Sequence, residues 1–297
     1  MTEPRDFVGY GRRPPAVGWP GDARVAVSLV LNYEEGSERT LPEDGANENL
    51  GEVNRDVGPY RDLATESVYE YGSRAGVYRL LRLFDRYKVH CTLFAAAVAL
   101  ERNPDVCTWV REAGHEPCAH GWRWAEEWLL TREEEADRIK LAVESIERSC
   151  GERPVGWYSR WMPSEHTREL LVEEGGFLYD SNAYNDDLPY YITVAGEQHL
   201  VVPYTLTTND LRFVNGTLGG PSDFFDYCRR ALDYLWDEGA DCPRMMSIGL
   251  HPRWTGQPAR TSALAEFIEY ALAKGDVWFP RRRDIAAWWL EQHPPVS

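Results

Sequence analysis

Short apolar runs alternate with amphipathic helical stretches along this chain, and no other feature leaves it so few folds. "RVAVSLVLN" (residues 24–32) is a β-branched run of the kind buried on both faces of a parallel sheet. Over 70–87, Val77, Leu80, Leu81 and Phe84 recur at helical spacing, and "VHCTLFAAA" (89–97) reads as a second strand. A short helix over 104–113 leads to a brief strand before His120. "TREEEADRIKLAVESIERSC" opens with a Thr131 to Glu134 capping box and carries Ala136, Ile139, Val143 and Ile146 on one face. "RPVGWYS" is strand-like, and 165–175 is helical up to the glycine pair Gly175-Gly176. "FLYDS", "HLVVPY" and "RMMSIGL" are predicted strands, with helices over 223–238, 260–274 and 283–291. Such alternation predicts an α/β fold, a mainly parallel sheet closed or nearly closed into a barrel. The 297 residues offer no linker, so one domain over 1–297 is expected, with an irregular lead (1–23) and a long polar loop (36–66) of lid-like length.

Charge narrows the partners. A formal net charge of −16 repels phosphate backbones and anionic lipid, so neither nucleic acid nor a membrane is an expected partner. The basic run Arg281-Arg282-Arg283 opens the last predicted helix and reads as a solvated face. No secretory h-region or membrane-spanning run is found, which predicts a cytoplasmic protein. Six cysteines without a CxxC fit free thiols in a reducing compartment.

In a barrel, functional groups gather where strands end. Chemistry-capable residues stand there in "NYEEG" (Glu34, Glu35), "CAHGWRW" (His120), "GWYSRWMP" (Arg160), "DSNAYNDD" (Asp180 to Asp187) and "SIGLHPRW" (His251). Each cluster alone is weak; together they would converge on one rim. "HEPCAH" is not a zincin motif, because its histidines are five apart and Pro117 breaks any helix.

The order and spacing of these clusters resemble the polysaccharide deacetylase superfamily. Strings such as "WPGDARVAVSLVLNYEEGSE", "ESVYEYGSRAGVYRLL" and "SIGLHPRWTGQPAR" look most similar to its allantoinase-like branch, associated with urate breakdown. The resemblance spans nearly the whole chain. It implies a single-domain deformed (β/α) barrel, a small-molecule substrate and a homo-oligomer. It also exposes departures. Where metal-dependent deacetylases place Asp-Asp this chain has Glu34-Glu35, and where they place a second His it has Trp124. Tryptophan cannot bind zinc, and a catalytic zinc site wants three protein ligands. No metal and no cofactor are therefore expected.

Without zinc to acidify water and polarise the carbonyl, the substrate must be a susceptible amide. The ring amide of a hydantoin or imide leaves as a stabilised nitrogen anion, which favours a cyclic ureide or imide over an N-acetyl sugar. The expected roles are Glu34 as general base, Glu35 raising the pKa of one member of the pair, and His251 as general acid oriented by Asp180. Arg160 and His120 are expected to stabilise the oxyanion or the carbonyls. Trp122, Trp124 and Trp161 are candidate walls over a planar ring, with Tyr33, Asp180, Asn182 and Asp187 as further substrate contacts. Trp161 and Met162 stand where allantoinase-like members carry small polar residues and offer a ureido tail no hydrogen bonds, which tells against allantoin itself and leaves a cyclic imide, a substituted hydantoin or another amide, a small N-acyl compound included, open. A barrel that has lost catalysis is the remaining alternative.

Overall fold

A computed structural model describes residues 5–49 and 57–295. Nine strands form one sheet: β1 Val25–Tyr33, β2 Thr92–Ala95, β3 Glu116–Ala119, β4 Gly156–Trp157, β5 Tyr179–Asp180, β6 Tyr190–Val194, β7 Glu197–Val201, β8 Arg244–Leu250 and β9 Val277–Trp278. Their order is β6-β7-β5-β4-β3-β2-β1-β8, with β9 paired to the start of β1. All neighbours are parallel except the β6/β7 hairpin. The sheet curls into the incomplete barrel of the α/β class. Chain running on from β7 then reaches the free edge of β8, where Asn209 bridges Gly249 in parallel and the Gly249 N–H donates to the Thr208 carbonyl at 3.0 Å.

β1 shows why the core has two sides. Val25, Val27, Leu29, Leu31 and Tyr33 pack outward with helical residues such as Leu80, Phe84 and Phe267. Ala26 and Val30 join Phe94, Tyr158 and Tyr204 in a second cluster inside the barrel. The strand is buried throughout, as its apolar run predicts. Its two-residue period also sends Asn32 inward and Tyr33 outward.

Several expectations on elements are revised. The predicted helix over 70–87 begins earlier, at Leu63, capped by Asp62, and continues as Leu63–Tyr71, a wide turn Gly72–Gly76 and Val77–Tyr87. The expected loop 36–66 therefore contains the start of that helix and a short turn of helix, Leu41–Asp44; its residues 50–56 lie outside those described. The β6/β7 hairpin was not predicted; its two-residue turn places Ala195 and Gly196 at positive φ, as a tight hairpin of the right twist requires. Arg282 is not on a solvated face. Its guanidinium is fully buried in the barrel, donating to Ser181 Oγ (2.9 Å), Ser247 Oγ (2.8 Å) and the Pro203 carbonyl (2.7 Å). Trp289 is buried beside Trp19, so this half of the Trp288-Trp289 pair is core. Among the described residues no helix is long and apolar enough to cross a membrane, and the six cysteines are free.

Candidate active site

Strand register brings the site together. Tyr33 is level with Ala95, Ala95 with Ala119, and Ala119 with Trp157, so Glu34, His120 and Tyr158 leave their strands on one tier. Leu250 pairs with Leu31, which delivers His251 beside them. Glu34 is almost wholly buried, its Oε1 lying 3.3 Å from His120 Nε2 and 3.6 Å from His251 Nε2. His120 Nδ1 meets the Tyr158 carbonyl at 2.6 Å, and its ring stacks on that tyrosine. A carbonyl can only accept, so Nδ1 donates to it, and Nε2 faces Glu34.

The second half of the acidic pair faces the other way. Glu35 Oε1 accepts from the Arg253 backbone N–H at 3.1 Å and lies 3.3 Å from Arg253 Nη1, while Glu35 Oε2 accepts from the Glu34 N–H. Arg253 Nη2 reaches Glu34 Oε2 at 2.8 Å. One buried guanidinium thus bridges both carboxylates, flanked by the rings of Tyr69, Trp124 and Trp254. Gly72 makes room for this clamp, since a Cβ there would stand 2.6 Å from Glu35 Oε1.

Electrostatics follow from this geometry. Burial opposes the charge on Glu34, but Arg253 and then His251 outweigh it and hold the carboxyl well below the usual carboxylate range. Burial dominates at Glu35 and pushes it up despite Arg253. One member of the pair is thus raised, as expected, but it is Glu35, where Glu34 adds to the effect of burial, and not the base Glu34, which Arg253 and His251 hold down. His251 is pushed up to about 9, because the Asp210 and Glu34 carboxylates overcome its burial.

Asp210, which sequence reasoning missed, orients His251. Its Oδ1 lies 2.6 Å from His251 Nδ1, and its Oδ2 accepts from the His251 N–H (2.7 Å) and Thr255 Oγ1 (2.6 Å). Asp180, expected in that role, instead meets His199 Nε2 at 2.8 Å and Arg168 Nε at 3.0 Å. Only an outcome of tertiary closure puts Asp210 here, because it follows the irregular bridge to β8 and carries no strand signal.

A cavity of about 420 Å³ opens over this cluster. Asn32, Glu34, His120, His251 and Arg253 are among its polar groups, Glu48, Asn49, Asn209 and Asn215 also line it, and Trp124, Tyr158, Trp161, Tyr204 and Trp254 are among its aromatic walls. Trp124 and Trp161 therefore both line this cavity. Trp122 does not: it lines a separate, smaller cavity and packs against Arg138. Arg160 is also withdrawn from the cavity, bonded to the Trp124 carbonyl (2.7 Å) and Glu48 (3.0 Å), with its guanidinium 3.7 Å from the Trp124 ring centre. Tyr33 points outward to Ser73, Asn182 accepts the Ser159 N–H, and Asp187 lies by the start of β8, its carbonyl accepting from Met245. None of these three lines the cavity. The missed Asn32 was legible from the period of β1, and the missed Arg253 sits two residues beyond His251.

A polysaccharide deacetylase family model matches residues 64–170. A Schizosaccharomyces pombe protein named as a polysaccharide deacetylase is 37% identical over 99% of each chain. The chain belongs to the polysaccharide deacetylase family. A Pseudomonas aeruginosa PAO1 protein, described as a probable polysaccharide deacetylase, has a crystal structure 47% identical to this family member, with a TM-score of 0.94 over 99% of this chain and 100% of the other. The crystal structure of PuuE allantoinase is likewise 47% identical, with a TM-score of 0.94 over 100% of both chains. This deacetylase-family protein is a hydrolase of that type, built on the same barrel.

Metal-dependent relatives raise the question of a bound cation. The donors here do not fit one. The family resemblance puts Trp124 at the second histidine's position, and the Arg253 guanidinium already pairs with Glu34, where a second cation would be repelled. His120 and His251 converge on a carboxylate oxygen of Glu34 rather than on an open point. Among the described residues, no group of three or more His, Cys, Asp and Glu side chains is arranged to hold a metal ion.

Proposed function

We propose that this protein hydrolyses a ring carbon–nitrogen bond in a cyclic ureide or imide without a metal. The observation that carries this reading is Arg253, a buried fixed cation 2.8 Å from Glu34 and lining the cavity. Glu34 takes a proton from water as the water oxygen bonds to the ring carbonyl carbon. As Glu34 loses its charge, the attraction of Arg253 is freed for the oxyanion forming nearby, a stabilisation made in the transition state. This role passes to Arg253 from Arg160, which is withdrawn; His120 supplies a second polar contact. His251, charged below about 9, donates its Nε2 proton to the departing nitrogen as the ring opens. The two groups then reset each other, since Glu34 Oε1 lies 3.6 Å from His251 Nε2 and can return the proton it took.

Leaving-group chemistry favours a cyclic substrate. A hydantoin or imide nitrogen anion is delocalised over a second carbonyl, whereas a simple acetamide nitrogen is not. The similarity to PuuE allantoinase supports the same reaction class. The names of the other relatives favour a second reading, removal of an acyl group from a small N-acyl compound. A panel of hydantoins, imides and N-acetyl compounds tests the choice. Cyclic compounds should open, and Glu34→Gln should abolish that turnover with the fold intact. Deacetylation without any ring opening would establish the second reading instead.

A further inference from the structure

At the cavity mouth, Trp161 adopts φ +59°, and the Met162 N–H reaches back to the Arg160 carbonyl at 2.7 Å. Trp161 is therefore the middle residue of a three-residue turn of the rare, strained hand. A bulky side chain avoids this backbone region and glycine enters it freely. Nor does burial compensate, because Trp161 is 58% exposed. Strain at an exposed aromatic residue points to a use for that residue.

The surroundings hold the indole in one place. The Tyr184 hydroxyl donates to the Trp161 carbonyl at 3.0 Å and is hydrogen-bonded to the Tyr158 hydroxyl at 2.7 Å. Trp128 stacks on the indole, with ring centres 6.2 Å apart. The Arg160 guanidinium lies 3.7 Å from the Trp124 ring centre and 4.7 Å from that of Trp161. Trp124 and Trp161 thus both face the cavity, and Arg160, outside its lining, packs against both rings. Exposed Tyr184 and Leu206 also line the cavity; of its charged lining groups, Glu34, His251 and Arg253 form the buried cluster, and Glu48 is paired with Arg160.

We infer that Trp161 determines specificity, and that the substrate, on the ring-opening reading above, is a cyclic ureide or imide carrying a flat apolar substituent that stacks on this indole. A polar tail would give up hydrogen bonds to water against Trp161, Tyr184 and Leu206; an aryl group gives up none. Calorimetric titration of 5-phenylhydantoin and hydantoin into Glu34→Gln protein, the parent for this comparison because it leaves both ligands intact, tests this without relying on turnover. The parent protein should prefer the phenyl compound by about tenfold, the factor that about 1.4 kcal/mol of stacking supplies. Trp161→Gly should erase that preference without lowering the melting midpoint, since glycine relaxes the turn, and Trp161→Phe should keep most of it. The inference is overturned if the parent shows no preference, if Trp161→Gly retains it, or if the variant weakens both ligands equally and melts lower. Turnover is scored separately: a preference that depends on Trp161 without ring opening keeps the inference and removes the reaction, and ring opening without a preference does the reverse.

Discussion

Arg253 divides the work of the two adjacent carboxylates. Glu34 continues the inward period of Asn32 and faces the cavity, while Glu35 turns away and anchors the guanidinium through its own Oε1. One is thus poised to react and the other to position. A base held so far down the carboxylate range is ionised at every physiological pH, but it is weak, so the protonated partner His251 must carry much of the leaving-group step. The pH dependence follows with a definite sign. On the proposed mechanism activity requires His251 charged and Glu34 ionised, so kcat/KM for a cyclic imide should be flat through neutrality and fall as pH rises past about 9. A rate that instead climbed with pH through the neutral range would make a neutral histidine the base and remove Glu34 from that role. At this scale Glu34, His120 and His251 were legible, since each directly follows a strand. Arg253 was not singled out because an arginine past a strand end reads as solvated, and Arg160 misled because its position in a motif does not reveal that its guanidinium is used to hold Trp124.

The helical segment from Leu63 to Tyr87 shows how an element shapes the site. Its wide turn at Gly72–Gly76 closes with the Val77 N–H donating to the Gly72 carbonyl, and it presents two glycines to the active-site chain. Gly72 lies against Glu35 and Gly76 against the Pro252 carbonyl, so side chains at either position would push on the Glu35–Arg253 clamp. Two effects of Gly72→Ala oppose each other. Helix propensity alone would stabilise by about 1 kcal/mol, since Gly72 has ordinary helical φ. A Cβ 2.6 Å from Glu35 is an overpacking error that costs about 1–3 kcal/mol. Crowding should win, and chemical denaturation should show Gly72→Ala less stable, with lower turnover. A more stable, fully active variant would mean that the clamp tolerates displacement. The long helices and main strands were readable from apolar period and caps, as at Thr131 and Glu134. β7 was readable in "HLVVPY", but its hairpin partner β6 was not, because it is short and mostly half-exposed and the turn is Ala195-Gly196 rather than a strong turn pair.

The whole molecule was legible as a barrel, but not in how it closes. Alternating strands and helices predict the parallel sheet, whereas closure rests on irregular chain around Thr208 to Asp210 that has no period to detect. That closure supplies Asp210 to the site. The interior has its own fixed charge in Arg282, bound to backbone and hydroxyl groups on several sides, which a reading of "RRRD" as a solvated helix start could not anticipate. The barrel thus carries buried guanidinium groups both in its interior and at its site, and we propose that the one at the site, Arg253, supplies the fixed positive charge that a metal would otherwise provide. Turnover of a hydantoin or imide by the purified protein before and after exhaustive chelation, with metal content measured on the same samples, tests that claim most directly. Undiminished ring opening by metal-free protein is the expected result. Loss of activity on chelation, restored by zinc, would contradict it.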